Sequence, residues 1–515
     1  MMLKRISKTV CILILGMVLF TFPSCFDLDE EPFTELPPDG AFQSEGDFVA
    51  GIAAVYAQLR PYLWNYFNCS MVSTDALIIP TRGTDWLDGL RWRQLHTHEW
   101  NTTHSDIAGA YSDAFQGVAR SNLFIENIEN TDVIFTNAPR EQYLAEARSL
   151  RAFYYFQLLD FFGGVPLILE SQADYDNPPP RNSAQEIYDF IESEWTSALD
   201  DLADHPDVEY GRISKQAVHG MLAKLYLNAE VFVGTEQLAN CITQCDEVIN
   251  SGYFTLANSY YDNFEVDNAG SSENIFAIDY SASTDLGPTN ENAMNLQMRT
   301  LHYNQLPQTP WNGFCITAEY FNSFDLDNDP RSRILLVGNQ IDTVDPVGTG
   351  GQVNDRDGNP LVFTPEISSI SNAPENEGVR VLKWRVDPER IGESMNNDLI
   401  LVRYADILLM KAEALNEQGN TGEAVNLVNE IRARPGSTVP PLTAAGQQEF
   451  RDALIDERGV EMAWEGHRRR LLIRMDQFTQ GTWDFKEVSA ETRKLFPIPQ
   501  VEIDANPNLT QNPGY

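Results

Sequence analysis

The sequence predicts a mostly α-helical protein, built from tetratricopeptide-like helical hairpins with long irregular, β-containing insertions. Apolar residues recur with helical spacing in paired segments that are joined by turns. Between the pairs lie residues 61–104 and about 253–397, which are rich in Gly, Pro, Asn and Asp and contain short β-like runs, such as those at 275–279 and 379–384. Long loops in compact proteins usually carry function. We therefore expect about four hairpin units to form the scaffold and the two insertions to face a ligand.

One hairpin, at residues 398–436, has a register that can be counted. Ala412 takes the small position of a first helix, and Ala424, 12 residues later, takes that of a second. Val428 and Ile431 continue the apolar stripe, and a proline follows shortly after. This spacing matches the roughly 34-residue tetratricopeptide repeat, in which small residues let two helices approach closely.

Three other pairs of helical segments have looser spacing. They are expected at residues 48–59 with 107–128, 140–162 with 183–203, and 214–232 with 236–251. In the last pair Ala223 and Ala239 take the small positions. Ser183, with Glu186 three residues later, predicts a capping box at the start of a helix. The scaffold is thus expected at about 40–60, 105–252 and 398–436, followed by a C-terminal segment at 447–515.

The N-terminus predicts a lipoprotein signal peptide at residues 1–24. A basic start precedes an apolar run at positions 10–22, which is shorter than the roughly 20 residues that a membrane-spanning helix needs. The run ends in a loose lipobox, FPSC, so we expect Cys25 to be lipidated and to begin a domain at 25–515. Acyl chains on one Cys would hold the protein to a membrane leaflet without a spanning helix.

Acidic residues dominate the composition. The chain has 75 Asp and Glu against 36 Lys and Arg, a formal net charge of −39. Such a charge argues against nucleic acid as a partner, because a polyanion is repelled at long range. Docking of the folded surface on anionic lipid is disfavoured for the same reason. A neutral ligand is compatible with this charge.

No metal site, cofactor or catalytic site is predicted. His96 and His98 alternate, with His104 nearby, but the carboxylate signature of a metal site is missing. Cys241 and Cys245 lie four residues apart on a predicted helix and are expected to pack in the core. The sequence has no nucleophile elbow, P-loop or dinucleotide-binding fingerprint. Acidic residues are so abundant that no carboxylate pair for glycoside hydrolysis can be singled out.

A set of motifs along nearly the whole chain resembles the SusD/RagB family of outer-membrane nutrient-binding lipoproteins from Bacteroidetes. The motifs are residues 27–32 (DLDEEP), 146–156 (EARSLRAFYYF), 163–167 (GGVPL), 324–331 (FDLDNDPR), 403–414 (RYADILLMKAEA), 457–468 (ERGVEMAWEGHR), 495–499 (LFPIP) and 506–515 (NPNLTQNPGY). Each motif alone is weak, but their order is specific. One departure is Arg469-Arg470, where many relatives carry an aromatic residue and an Asp.

The resemblance implies a function as well as a fold. It implies a lipoprotein, exposed on the cell surface at the outer membrane, that captures a glycan and hands it to a SusC-like TonB-dependent transporter without breaking bonds. The acidic residues after Cys25 resemble the surface-export signal of such lipoproteins. Two other functions stay open: a carbohydrate-active enzyme, or a scaffold that binds protein or peptide as tetratricopeptide arrays do. Starch, laminarin and fructans all remain possible ligands, as does a peptide.

The insertion at 61–104 holds the first candidate ligand-binding residues. Sugar rings lie on aromatic faces, and their hydroxyls need carboxylate, amide or guanidinium partners. Four of the nine Trp stand at positions 64, 86, 92 and 100. Trp86 occupies a turn rich in Gly and Asp, which suits an indole presented to solvent. We predict Trp86 as a sugar platform, with Asp75 and Arg82 as the hydroxyl partners that the resemblance implies.

Further aromatic residues are alternatives or additions to this site. Trp92 and Trp100 are alternatives to Trp86, although their β-like stretch with alternating polar residues also suits the core. Trp311, with Tyr303 shortly before it, is a second candidate. The resemblance implies that this later part of the chain contributes aromatic residues to the binding site.

Overall fold

Helices are the main regular element of the structure, a computed structural model that describes residues 42–172, 177–282, 294–342 and 350–515. The predicted signal peptide and Cys25 lie outside the described residues. All elements named below belong to the unit Ser44–Tyr515. Within the described ranges, none of the helices has the length and apolar character to cross a membrane.

The elements are these, in chain order. The helices are α1 (Glu45–Ala57), α2 (Asn65–Val72), α3 (Arg91–His96), α4 (Ser105–Glu129), α5 (Arg140–Phe162), α6 (Ala184–Ala198), α7 (Lys215–Leu227), α8 (Ala229–Val233), α9 (Leu238–Ser251), α10 (Leu296–Thr300), α11 (Ala318–Phe321), α12 (Tyr404–Glu417), α13 (Thr421–Arg432), α14 (Gln447–Glu461), α15 (Arg468–Arg474), α16 (Gln477–Gln480) and α17 (Gln500–Ala505). Short 3-10 segments lie at Arg60–Leu63, Asp88–Leu90, His205–Asp207, Tyr260–Phe264, Pro330–Ile334 and Glu491–Lys494.

The longer helices pack in one continuous array that follows chain order. α1 packs against α4, α4 against α5, α5 against α6 and α6 against α7. The array continues from α7 to α9, from α9 to α12 and from α12 to α13. Taken as pairs, these helices form the hairpins α1–α4, α5–α6, α7–α9 and α12–α13. The predicted mostly helical, tetratricopeptide-like fold class is confirmed.

The hairpin at residues 398–436 folds as the spacing of its small residues predicts. Ala412 on α12 and Ala424 on α13 are completely buried, and Val428 and Ile431 line the same interface. A methyl side chain at both small positions lets the two helix backbones come close. At α6 the predicted cap is also confirmed, because the Ser183 side chain accepts from the Glu186 backbone N–H and the Glu186 carboxylate accepts from the Ser183 N–H in return.

One predicted small position is wrong. Ala239 is exposed on α9, and the buried face of this helix is formed by Cys241, Cys245 and Val248. Spacings of four and three residues put these three side chains on one side of the helix, which faces α7 and α12. Both cysteines are free and buried, which confirms that they pack in the core.

The strands are short and lie near or inside the second insertion. β1 (Asn274–Ile278) pairs antiparallel with β6 (Leu399–Arg403), while β2 (Leu335–Leu336) pairs with β5 (Arg380–Val381) and β3 (Gly338–Asn339) with β4 (Val362–Phe363). The β-like run at 275–279 is therefore a strand, whereas only two residues of the run at 379–384 are. The β1–β6 pair joins the start of the insertion to its end, so the insertion leaves and re-enters the scaffold at one place.

A buried network of charges, here called the ionic core, ties the second insertion to α14. Its members are Glu273, Arg331, Lys383, Arg403, Arg434, Glu457, Glu461 and Glu465. Glu461 lies at its centre, because its two carboxylate oxygens accept hydrogen bonds from Arg331, Arg403 and Arg434 at 2.7–2.9 Å. Burial raises the pKa of Glu461, but these three cations outweigh it and hold the pKa well below its usual range.

The departure from the family motif at Arg469-Arg470 has a structural role. Both guanidinium groups on α15 reach the buried carboxylate of Asp160 on α5, Arg469 at 2.8 Å and Arg470 at 3.1 Å. Tyr66 donates to the same carboxylate at 2.5 Å. The pair of arginines thus joins the C-terminal segment to the scaffold through one shared anion.

A partly exposed aromatic cluster as the candidate binding site

Four aromatic residues from separate parts of the two insertions come together on one partly exposed face. This aromatic cluster consists of Trp64, Trp86, Tyr303 and Trp311, each of which is partly exposed. The ring centroid of Trp311 lies 6.2 Å from that of Trp64 and 6.1 Å from that of Trp86. Tyr303 joins the others through Asp85, whose carboxylate accepts from the tyrosine hydroxyl at 2.6 Å. Two predicted regions, around Trp86 and around Trp311, therefore lie together and form one candidate site.

The loop that carries Trp86 has an unusual backbone. Positive φ angles occur at Trp86 (61°), Asp88 (34°) and Leu90 (68°), in addition to two glycines. Such angles cost a non-glycine residue of order 1–3 kcal/mol and concentrate at ligand sites. A tight turn starts the loop, because Arg82 and Asp85 exchange backbone hydrogen bonds at 3.0 Å in both directions. The turn predicted from Gly and Asp is present, and it directs the indole towards Trp311.

The indole of Trp86 is fixed by two contacts with the segment around Trp311. Its Nε1 donates to the carbonyl oxygen of Trp311 at 2.7 Å. Its six-membered ring lies directly on Gly313, where an added Cβ would come within 2.1 Å of the ring. Trp86 also contacts Phe314, with ring centroids 5.7 Å apart. The ring is therefore held in place although it remains partly exposed.

A buried arginine supports the cluster from behind. The guanidinium carbon of Arg299 lies 3.7 Å from the Trp64 ring centroid, a close cation–π contact. Its backbone oxygen accepts from the N–H groups of Gly313 and Phe314 at 2.8 and 2.9 Å. Burial lowers the pKa of Arg299 to about 9, which leaves the group charged at neutral pH. One residue thus positions both Trp64 and the segment on which Trp86 lies.

Polar groups border the cluster. The carboxylate of Asp85 lies 3.4 Å from the exposed guanidinium of Arg356. This guanidinium also binds Glu375 at 2.7 Å. It stacks on Tyr303, with its central carbon 4.2 Å from the ring centroid. Beside Trp311, Glu393 accepts from the indole Nε1 at 2.8 Å. Aromatic faces, carboxylates and a guanidinium are thus available on one surface.

Arg82 does not contribute to that surface, which corrects the prediction. Only 3% of the residue is exposed. Its guanidinium donates to the backbone oxygens of Asn312, Pro374 and Glu377. Burial lowers the pKa of Arg82, because removing the guanidinium from water disfavours its charged form. Arg82 therefore fastens loops behind the cluster instead of meeting a ligand.

Asp75 is also occupied elsewhere. Its two carboxylate oxygens accept from Arg468 at 2.8 and 2.5 Å, in a two-pronged pair that joins the insertion to α15. Its backbone oxygen accepts from Thr317 at 2.8 Å. The prediction that Asp75 meets sugar hydroxyls is therefore replaced by a role in positioning α15.

Trp92 and Trp100 are buried, so neither is a solvent-facing platform. Trp92 lies on α3 instead of a β-like stretch, and its Nε1 donates to Asp88 at 2.7 Å. Trp100 packs against Phe496, and its Nε1 donates to the Tyr515 hydroxyl at 2.7 Å. Long-range packing with the C-terminal segment buries Trp100, and no local pattern near position 100 signals that contact.

The three histidines of this insertion are buried and bond to protein groups. Nε2 of His96 contacts the Asp484 carbonyl oxygen, His98 bridges Ser489 and the Ser73 carbonyl, and His104 contacts the Arg91 carbonyl. In the described part of the chain, no group of three or more His, Cys, Asp or Glu side chains has the arrangement of a metal site.

Several residues of the site were not predicted. Trp64 lies in the Trp-rich stretch, and that clustering was the signal that could have identified it. Asp85 stands directly before Trp86, so its place at the site follows from that of its neighbour. Arg356 and Glu393 come from loops about 270 and 308 residues further along the chain than Asp85, and no sequence pattern marks them.

Two family models match most of the chain. One, described as the SusD family, matches residues 272–515, and another, described as starch-binding and associating with the outer membrane, matches residues 33–227. The starch-binding protein SusD of Bacteroides thetaiotaomicron is 26% identical, in an alignment that covers 99% of this chain and 99% of that protein. A SusD-like protein of Formosa agariphila is 23% identical and is aligned over 98% of this chain and 99% of its own length.

Solved structures share the fold. A SusD-like protein of Bacteroides fragilis superposes with a TM-score of 0.75 at 21% identity, covering 93% of this chain and 98% of that one. A laminarin-binding SusD-like protein gives a TM-score of 0.73 at 22% identity, covering 92% and 100%. With both family models and a full-length relative in agreement, the chain belongs to the SusD/RagB family.

Proposed function

We propose that this protein is a glycan-binding lipoprotein of the cell surface, which captures an oligosaccharide or polysaccharide and delivers it to a SusC-like TonB-dependent transporter. The observation that carries the proposal is the aromatic cluster, since Trp86, Trp311 and Tyr303 lie together and partly exposed, with Trp64 beside them. The cluster is fixed by hydrogen bonds before any ligand arrives.

The chemistry of the cluster suits a sugar polymer. Flat aromatic faces bind the C–H faces of pyranose or furanose rings, and the polar groups beside them bind hydroxyls. A fixed surface loses little conformational entropy when a ligand binds. An open face, unlike a closed pocket, can hold a few units of a long chain whose ends lie outside the protein.

The names of the relatives support the class of ligand and the location. The full-length relative SusD is named a starch-binding protein, and one family model is described as associating with the outer membrane. A structural relative was solved with laminarihexaose. On this proposal Cys25 carries the lipid anchor, and the protein holds its glycan without cleaving it.

The test compares Trp86→Ala with the wild-type protein by electrophoresis through gels that contain laminarin, soluble starch or levan. We expect the wild type to be retarded by at least one polysaccharide and Trp86→Ala to migrate as in a gel without glycan, while its circular dichroism spectrum remains that of the folded protein. Tyr253→Ala, which removes an exposed aromatic ring outside the cluster, is the control. Undiminished retardation of Trp86→Ala would remove Trp86 from the site.

Delivery and the absence of catalysis need separate tests. Purification of the tagged protein from outer membranes should co-purify a TonB-dependent transporter, and Cys25→Ala should shift the protein to the soluble fraction. Incubation with a retained polysaccharide should release no reducing sugar. Release of reducing sugar would instead favour a carbohydrate-active enzyme.

A further inference from the structure

Arg356 is the exposed cation of the candidate site, and its position is unusually well fixed for a surface side chain. Half of its side chain is exposed, at 51%. Glu375 binds it twice, since one carboxylate oxygen accepts from the backbone N–H at 2.9 Å and the other from Nε at 2.7 Å. An arginine normally loses several rotatable bonds on binding a ligand, but this one is ordered beforehand.

The guanidinium also joins two parts of the site. It stacks on the ring of Tyr303 with its central carbon 4.2 Å from the centroid, and Nη1 lies 3.4 Å from the Asp85 carboxylate. Asp85 in turn accepts from the Tyr303 hydroxyl and directly precedes Trp86 in the chain. Arg356 and Tyr303 therefore meet at Asp85, the residue that directly precedes the tryptophan we propose as a sugar platform.

Arg356 keeps hydrogen-bonding capacity for a ligand. A guanidinium has five N–H donors. Within the described ranges, Glu375 accepts from Nε and Asp85 from Nη1, while no protein group accepts from Nη2. Arg82, Arg299 and Arg380 are three other arginines near the cluster, and all three are buried. The guanidinium groups of Arg82 and Arg380 donate to backbone oxygens. Among these four, only Arg356 can present donors to a ligand on the exposed face.

We propose that Arg356 and Asp85 together hydrogen-bond to two neighbouring hydroxyls of one sugar unit, with Arg356 donating to one and Asp85 accepting from the other. Glu375 acts as a positioning residue that holds Arg356 without touching the glycan. This inference rests on the proposed glycan-binding function. It assigns the groups that bind the sugar hydroxyls to residues other than Arg82 and Asp75.

The charges favour a sugar unit without charge of its own. The exposed guanidinium of Arg356 is already flanked by two carboxylates, those of Asp85 and Glu375. A sulfate or uronate placed on Arg356 would lie next to both of them and would be repelled. A hydroxyl, by contrast, both donates and accepts, and so matches a guanidinium and a carboxylate side by side.

The first experiment uses Arg356→Met, which keeps an apolar side chain over Tyr303 but removes the charge and every donor. Affinities for the retained polysaccharide, chosen from laminarin, soluble starch and levan, are measured by calorimetry. We expect a loss of about tenfold or more, as for a hydrogen bond to a charged group. Arg333→Met, which removes an exposed arginine outside the cluster, should bind as the wild type does.

The second experiment separates contact from positioning. Glu375→Gln should weaken binding severalfold in the wild-type background but have no further effect in Arg356→Met, because the residue it holds is already gone. When Asp85→Asn and Arg356→Met are combined, the loss of binding free energy should be smaller than the sum of the two single losses, since both residues contact one sugar unit. Asp357→Asn removes an exposed carboxylate next to Arg356 in sequence and is the control for general charge effects.

The outcomes separate this inference from the proposed function. Wild-type protein that binds none of the three polysaccharides would contradict the proposed function itself. If the wild-type protein and Arg356→Met bind the polysaccharide equally well, the glycan-binding function is supported but the role of Arg356 is overturned. An equal loss from Glu375→Gln in both backgrounds would overturn its role as a positioning residue. A chemically sulfated form of the retained polysaccharide should bind at least tenfold more weakly, and equal binding would overturn the preference for uncharged sugars.

Discussion

Buried arginines lie next to aromatic rings both in the ionic core and behind the aromatic cluster, but the groups that bind these cations differ between the two regions. In the ionic core Arg331, Arg403 and Arg434 all meet the carboxylate of Glu461. Behind the aromatic cluster, Arg82 instead donates to backbone oxygens. Arg299 there rests against the Trp64 ring.

The difference indicates what each region is built to do. A charge network closed by carboxylates joins distant segments firmly, because each buried cation in it meets a carboxylate. Cations that bind carbonyl groups and rings fasten the loops of the cluster, while the carboxylates of Asp85 and Glu375 remain at the surface with Arg356. We infer that the first region serves stability and the second serves recognition, and four predictions test this contrast.

The largest effect is expected in the ionic core. Glu461→Gln removes the anion that three buried guanidinium groups share, and breaking a buried pair from one side costs about 3–5 kcal/mol because the remaining charges lose their partner. Urea denaturation should report this loss in the free energy of unfolding. A change below about 1 kcal/mol would contradict the importance given to the network.

A smaller effect is expected from His98, which is buried between the first insertion and the C-terminal segment. Burial lowers its pKa from 6.5 to about 3. Between these two values the unfolded chain holds more protons than the folded one, so the free energy of unfolding falls as pH falls. From pH 7 to pH 5 this residue should remove about 2 kcal/mol.

His98→Asn tests that dependence. Asparagine tolerates the positive φ of 58° at this position better than most residues. The variant is expected to be less stable at pH 7, because it leaves space around Trp100 and Phe478, but to lose less stability on acidification. An unfolding profile as steep in pH as that of the wild type would contradict the assignment.

The third prediction concerns how Trp86 is held. In Gly313→Ala the added Cβ would overlap the indole, so the ring must move. We expect about a tenfold loss of affinity for the retained polysaccharide and a stability loss of about 1–3 kcal/mol from overpacking. Gly422→Ala is the matched control, because the space around Gly422 on α13 is open and a helix favours alanine. Unchanged affinity in Gly313→Ala would show that the exact ring position does not matter.

The smallest effect is expected at a surface ion pair. Arg451 on α14 binds Glu417 on α12 with two nitrogens, but the side chain of Arg451 is 41% exposed. Arg451→Met should change the free energy of unfolding by less than about 1 kcal/mol, because water and salt screen exposed pairs. A loss as large as that of Glu461→Gln would remove the contrast between buried and exposed networks.

The candidate site was predictable only in part. The turn around Trp86 could be recognised from neighbouring Gly and Asp, and Trp311 with Tyr303 from the later aromatic segment. The polar partners could not, because a side chain's exposure depends on segments that are far away in sequence. Arg82 and Arg356 are the same residue type in similar loops, yet the first is buried under the segment at 374–378 and the second lies open beside Tyr303.

The sequence by itself determined the helical hairpins. The spacing of Ala412, Ala424 and Val428 is that of an interface between two helices that are neighbours in the chain, so the pattern is visible locally. The sequence also determined the order of the family motifs and the tight turn before Trp86. Only the tertiary structure decided which tryptophans are exposed and which charged groups meet in the core. The reason is physical: burial and pairing result from contacts across hundreds of residues, such as that of Trp100 with Tyr515, and no periodicity in the chain encodes them.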